Sequence, residues 1–186
     1  GLGRIVLLGP DLLAHAPAPA PAAAADEVLA VEIARAWPSA AATPADTGGH
    51  RATTLLAVYP ATGALHAAYR ALAEREAARV PGGRAVSDAE LSPEQMAGLE
   101  RRDRLDGQIL LLLGGPLENR ATRVALPLTP RITFAREGVI AVDGRVFSSR
   151  DTLLVWSPSS PGADGAPITL IHALSTDALA RTEALE

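Results

Sequence analysis

Residues Gln108 to Leu113 read Gln-Ile-Leu-Leu-Leu-Leu, a run with no polar alternation that Gly114-Gly115-Pro116 cuts short. A strand with one wet face alternates apolar and polar residues, whereas a short run apolar throughout marks a strand covered on both faces. Three further runs have this character: Thr53 to Val58, Leu153 to Ser157 and Ile168 to Ala173. Such strands need a layer of structure on each side, which restricts the chain to an α/β sandwich whose central sheet is mostly parallel.

The intervening sequence supplies the helices. Leu65, Tyr69, Leu72 and Ala73 recur at helical spacing and predict a helix from about Ala64 to Arg79, stopped by Pro81-Gly82-Gly83. Ser92-Pro93-Glu94-Gln95 is a helix start: serine can cap, proline suits the first turn, and glutamine stands at the capping-box position. A short helical segment is expected from Leu117 and a last helix from about Thr176. Strand-helix-strand units of this length imply parallel pairing through right-handed crossovers. The expected sheet has about five strands with helices on both faces.

Two regions depart from that rhythm. Between 131 and 148 the pattern is of hairpins, with strands at 131–135, 139–142 and 145–148 and a type I′ turn signal at Asp143-Gly144. Pro17 to Ala25 alternates proline with alanine and reads as an extended spacer with no face to bury. Residues 1–25 are therefore expected to be an N-terminal arm and 26–186 one α/β domain, opening with a helix from Asp26 to Trp37. Arg4 to Leu8 resembles the apolar part of a signal peptide, but Pro10 and Asp11 interrupt it, and a first strand ending at Gly9-Pro10 is the preferred reading.

Composition removes several chemistries. Of the 186 residues none is cysteine, so disulfides, thiolate metal sites and cysteine nucleophiles are excluded. That count suits cytoplasm and extracytoplasmic space alike. Every Lys/Arg position is arginine, which removes lysine Schiff bases and a P-loop lysine. A net charge of −4 offers no broad basic field for nucleic acid or anionic membrane. No apolar run approaches a membrane span, so no direct transmembrane segment is expected.

The best candidate for a site is the turn Gly114-Gly115-Pro116-Leu117-Glu118-Asn119. It leaves a central strand and enters a helix, where backbone N–H groups can bind anions or carbonyls. Gly114, Gly115, Glu118 and Asn119 are the candidate ligand-binding residues. The competing reading is a tight turn that Asn119 pins by side-chain hydrogen bonds. The dinucleotide fingerprint G-x-G-x-x-G is missing, which weakens a nucleotide reading. Histidines stand at 15, 50, 66 and 172, no two within fifteen residues, so no metal site is expected. His66 is read as solvated and His172 as a hydrogen-bonded strand residue. There is no G-x-S-x-G elbow, and Ser157, Ser159 and Ser160 look like turn formers. Glu118 could pair with Asp88 or Asp106 for acid/base work, though nothing in the spacing selects them. No catalytic residue and no cofactor are expected.

From Thr54 onward the order of motifs resembles a non-catalytic α/β domain of large secreted bacterial hydrolases of the esterase and prolyl-oligopeptidase type. The resemblance rests on the strand and turn 54–63, the helix 64–76, the acidic approach 86–95 and the strand with its turn 110–119. The hairpin 138–147 and the strand pair 153–161 and 168–175 complete it. Gly114, Pro116 and Asn119 match that family's G-x-P-x-x-N turn, and Glu118 stands where serine is more common. The resemblance implies a flavodoxin-like accessory domain and an extracytoplasmic, periplasmic location, and it carries over no catalytic residue. The expected function is that of an accessory or structural subunit bound to a protein partner or multi-subunit complex, including a membrane-bound one. The rival readings are a hydrolase and a small-ligand domain, each using the Gly114–Asn119 turn.

Overall fold

A computed structural model describes residues 4–8, 54–101, 108–126, 132–136, 139–142, 145–157 and 168–182. In chain order these hold β1 (Arg4–Leu8), β2 (Thr54–Tyr59), α1 (His66–Arg79), β3 (Arg84–Ser87), α2 (Pro93–Arg101), β4 (Gln108–Leu113) and α3 (Arg120–Ala125). Then come β5 (Ile132–Arg136), β6 (Val139–Val142), β7 (Arg145–Phe147), β8 (Leu153–Ser157), β9 (Ile168–Ala173) and α4 (Thr176–Ala180). The expected helix 26–37, the Asp143-Gly144 turn and the loop 158–167 lie outside the described residues.

The main sheet has six strands in the order β1-β8-β9-β4-β2-β3. The β3–β2, β2–β4 and β4–β9 ladders are parallel, while β8 pairs antiparallel with both β9 and β1. The sheet is thus mostly parallel, and β8 alone runs against the others. Two differences from the expected five-strand sheet have plain causes. β3 is a four-residue edge strand whose inner positions are only partly buried, so it lacks the continuous apolar run that marks the others. The β8–β9 pair is joined by only the short stretch 158–167, and a parallel crossover needs a dozen residues or more. β1 pairs along its length with β8, from Arg4 opposite Ser157 to Leu8 opposite Leu153.

Alternation within each apolar run sends side chains to two separate cores. Leu55, Ala57, Tyr59, Leu111, Leu113 and Ile171 pack with Tyr69, Leu72 and Ala73 of α1 and with Ala178 and Leu179 of α4. On the opposite face Leu56, Val58, Leu110, Leu112, Leu154, Trp156 and Leu170 meet Leu99 of α2 and Ala121 and Ala125 of α3. The second face is completed by Ile132, Ile140, Val142 and Phe147 of a three-stranded antiparallel sheet, β5-β6-β7. Both faces are therefore covered, as continuous apolar strands require.

Local chemistry fixes the helix ends. Gln95 N–H donates to Ser92 Oγ at 3.2 Å, and Ser92 N–H donates to Gln95 Oε1 at 2.9 Å, a reciprocal capping box. α1 buries Tyr69, Leu72, Ala73, Glu76 and Ala77, and its one acidic member there is met by Arg75 at 3.0 Å and Arg79 at 3.2 Å. The helix expected from Leu117 begins at Arg120 instead, because Asn119 has extended backbone (φ −114, ψ 117) and caps it.

Candidate functional site

In the order β3-β2-β4-β9, successive parallel strands lie to opposite sides of β2. The C-terminal ends of β2 and β4 are therefore where an open sheet of this kind usually holds a ligand. The turn 114–119 is at this point. Gly114 has φ +85, a left-handed conformation that disfavours other residues. A Cβ there would stand 3.2 Å from Glu118 Oε2 and 3.4 Å from Pro60 Cγ. At Gly115 it would meet the His172 and Phe134 rings, both at 3.2 Å. Two glycines let the backbone close against its neighbours.

The N–H groups of Gly114, Gly115, Glu118 and Asn119 are already bonded within the protein. Gly114 N–H donates to Ile171 O at 2.9 Å, and Gly115 N–H to His172 Nδ1 at 2.9 Å. Glu118 and Asn119 N–H both donate to Gly115 O, at 3.1 and 2.9 Å. Arg120 N–H donates to Asp88 Oδ2 at 2.8 Å, so Asp88 takes the place at the start of α3 that an anionic ligand would otherwise occupy. Its other oxygen accepts from Ala61 N–H at 2.7 Å, and its own N–H donates to Tyr59 O at 2.8 Å. Asp88 thereby ties the ends of β2 and β3 to α3.

Asn119 is fully buried and spends all its side-chain hydrogen-bonding capacity on backbone. Oδ1 accepts from Ala121 N–H at 2.8 Å and Thr122 N–H at 3.3 Å. Nδ2 donates to Leu113 O at 2.8 Å and Val58 O at 3.1 Å. Thr122 Oγ1 adds a bond to Gly114 O at 2.9 Å. The side chain pins the turn to the ends of β2 and β4, the competing role read from sequence.

β9 continues past the point where β4 leaves the sheet, and side chains take over as its partners. Ala173 N–H donates to Tyr69 Oη at 2.9 Å, and the same hydroxyl lies 3.3 Å from Ala173 O and 3.4 Å from His172 Nδ1. Because His172 Nδ1 accepts from Gly115 N–H, the neutral ring carries its proton on Nε2. Burial lowers the His172 pKa from 6.5 to about 4 and keeps the imidazole neutral at pH 7. Burial also raises the Tyr69 pKa well above the usual phenol range, with the Glu118 charge adding to it, so Tyr69 stays protonated. Glu118 Oε2 lies 3.6 Å from His172 Nδ1.

Of the four candidates read from sequence, Gly114, Gly115 and Glu118 converge here with His172 and Tyr69, while Asn119 faces inward. Tyr69 and His172 stand 103 positions apart, and no local spacing signals their meeting. His66 is not simply solvated: it is half-buried, its Nδ1–H donates to Pro60 O at 2.8 Å, and its ring leans on Tyr59. Ser157 is remote from the turn. His172 pairs with Leu154, and Ser157 lies three residues further along β8, roughly 10 Å toward the other end of the sheet. His15, His50, Asp106, Ser159 and Ser160 lie outside the described residues. Among the described residues no three of His, Asp and Glu gather as a metal site, and no helix is long and apolar enough to cross a membrane.

No family model matches the chain, nor does any curated protein or solved structure.

Proposed function

We propose that this chain is a non-catalytic, flavodoxin-like accessory domain that binds and stabilises a larger protein assembly, one that can be membrane-bound. The observation that carries this reading is the internal bonding of the strand-end turn. The N–H groups of Gly114, Gly115, Glu118, Asn119 and Arg120 go to Ile171 O, His172 Nδ1, Gly115 O and Asp88 Oδ2. The turn is thus built to hold a shape. At its tip Leu117 is 56% exposed, and Val146 on the edge strand β7 is 63% exposed. Leu117 and Val146 are the apolar contact points this reading offers a partner. The flavodoxin-like assignment is supported by the strand order β3-β2-β4, in which the second parallel strand in sequence lies outside the first. The resemblance to accessory domains of secreted hydrolases supports an extracytoplasmic location.

The test is gentle purification of the native protein from membrane and soluble fractions, followed by mass spectrometry of what accompanies it. A stoichiometric protein partner, lost in the Leu117→Arg variant, is the expected result. A chain that runs alone as a monomer in both fractions overturns the proposal, and a small molecule retained in native mass spectra would favour the ligand-binding rival.

A further inference from the structure

The buried cluster under the turn has two mutually exclusive bonding patterns. His172 Nδ1 has a single lone pair in the ring plane, and Gly115 N–H uses it at 2.9 Å. Glu118 Oε2 stands 3.6 Å from that same nitrogen, close enough to become its acceptor after a small movement. A proton on Nδ1 would turn the ring into a donor at both nitrogens, facing the Gly115 N–H with a second N–H. The two donors cannot bond to each other, and the imidazolium is drawn to the carboxylate.

The titratable groups that face His172 among the described residues are few. Glu118 approaches from the turn and Tyr69 from α1, with its hydroxyl committed to Ala173 N–H. Phe134 of β5 meets the ring edge-on at 5.5 Å, and Leu154 is its neighbour on β8. Glu118 is thus the facing group that gains from a positive ring. The backbone that must yield joins Gly114 to Gly115; neither residue has a side chain to resist rotation of the peptide, and the restraint on its other end is the Thr122 Oγ1 bond to Gly114 O at 2.9 Å, which must give as the peptide turns.

We propose that His172, Gly115 and Glu118 form an acid-operated latch on the Gly114–Asn119 turn: neutral His172 holds Gly115 N–H, and protonated His172 pairs with Glu118 and lets the peptide go. The latch stands whatever the turn binds, because both bonding patterns lie within this chain. Opening it moves the segment that carries Leu117, whereas Asn119, bonded to Val58, Leu113, Ala121 and Thr122, keeps the start of α3 in place. The device has a fixed hinge end and a movable tip.

The test is a pH titration of the ¹⁵N-labelled full chain by NMR, from neutral to about pH 2.5, far enough below the His172 midpoint near 4 to reach that of a variant shifted one unit lower. The Gly115 amide and the His172 ring nitrogens should shift with one common midpoint, while core amides of β2 and β4 keep their native positions. Glu118→Gln removes the charge that favours the imidazolium and should move that midpoint down by about one pH unit. In His172→Asn, whose side-chain oxygen can accept from Gly115 N–H without titrating, the Gly115 amide should stay flat. A Gly115 amide indifferent to His172 protonation overturns the proposal, as does a Glu118→Gln midpoint equal to that of wild type. Simultaneous loss of all native resonances also overturns it, because a local latch opens before the cores do.

Discussion

Replacing Asn119 removes two kinds of bond that can be separated experimentally. Oδ1 caps α3 through Ala121 and Thr122 N–H, and Nδ2 clips the carbonyls of Val58 and Leu113 at the ends of two central strands. Losing a cap of this kind costs about 1 kcal/mol. Two buried carbonyls left without that donor add about 1 kcal/mol each, toward the low end because a carbonyl tolerates partial satisfaction better than an N–H does. Asn119→Ala should therefore lose about 3 kcal/mol, a large part of a typical domain's stability. With a urea slope of roughly 2 kcal/mol/M, the unfolding midpoint falls by about 1.5 M. Asn119→Ser keeps a capping oxygen and should recover about 1 kcal/mol of that loss. Asn119→Asp caps well and is nearly isosteric, yet turns an acceptor toward two carbonyl oxygens, so it should fall below Asn119→Ser. Urea unfolding followed by circular dichroism gives the order directly. An Asn119→Ala midpoint within error of wild type, or an Asp variant as stable as the native protein, would refute the clip between the strands.

Two further perturbations probe the neighbouring cluster. Tyr69→Phe leaves the buried Ala173 N–H without its 2.9 Å acceptor and should cost about 2 kcal/mol in the same urea experiment; an unchanged midpoint would mean that β9 finds another partner there. His172, at 6.5 unfolded and about 4 folded, binds fewer protons in the native state across that interval. Its contribution is full above pH 6.5 and is lost as the pH falls toward 4, at most about 3 kcal/mol and less if the protonated ring pairs with Glu118. Stability measured against pH should therefore fall less steeply in His172→Asn than in wild type, and parallel curves would contradict the burial argument.

Asp88 and Glu118 show why the chemistry of a site can be misread from sequence. Both are acids near turns, and either could have been half of a catalytic pair. Hydrogen bonds show what Asp88 does: its two oxygens accept from Ala61 and Arg120 N–H groups that come from separate parts of the chain. Glu118 is set apart by nearness to His172, a residue of a strand that begins 50 positions later. Asn119 was more legible. A glycine-rich turn followed by asparagine before a helix suggests both a ligand loop and a pinned turn, and the four side-chain bonds of Asn119 show the pinning.

The sequence by itself determined the elements whose physics is local. Four unbroken apolar runs specify strands buried on both sides, because each residue's burial follows from its own side chain. Ser92 to Gln95 specifies a helix start, because the capping bonds close within three residues. Tertiary structure alone decided what depends on distant partners. Arg84 to Ser87 becomes a strand because β2 offers it a free edge, and its own residues carry too little apolar pattern to say so. Tyr69, Gly115, Glu118 and His172 meet only after three parallel ladders have set their register, since hydrogen bonding between groups so far apart leaves no periodic trace in the chain.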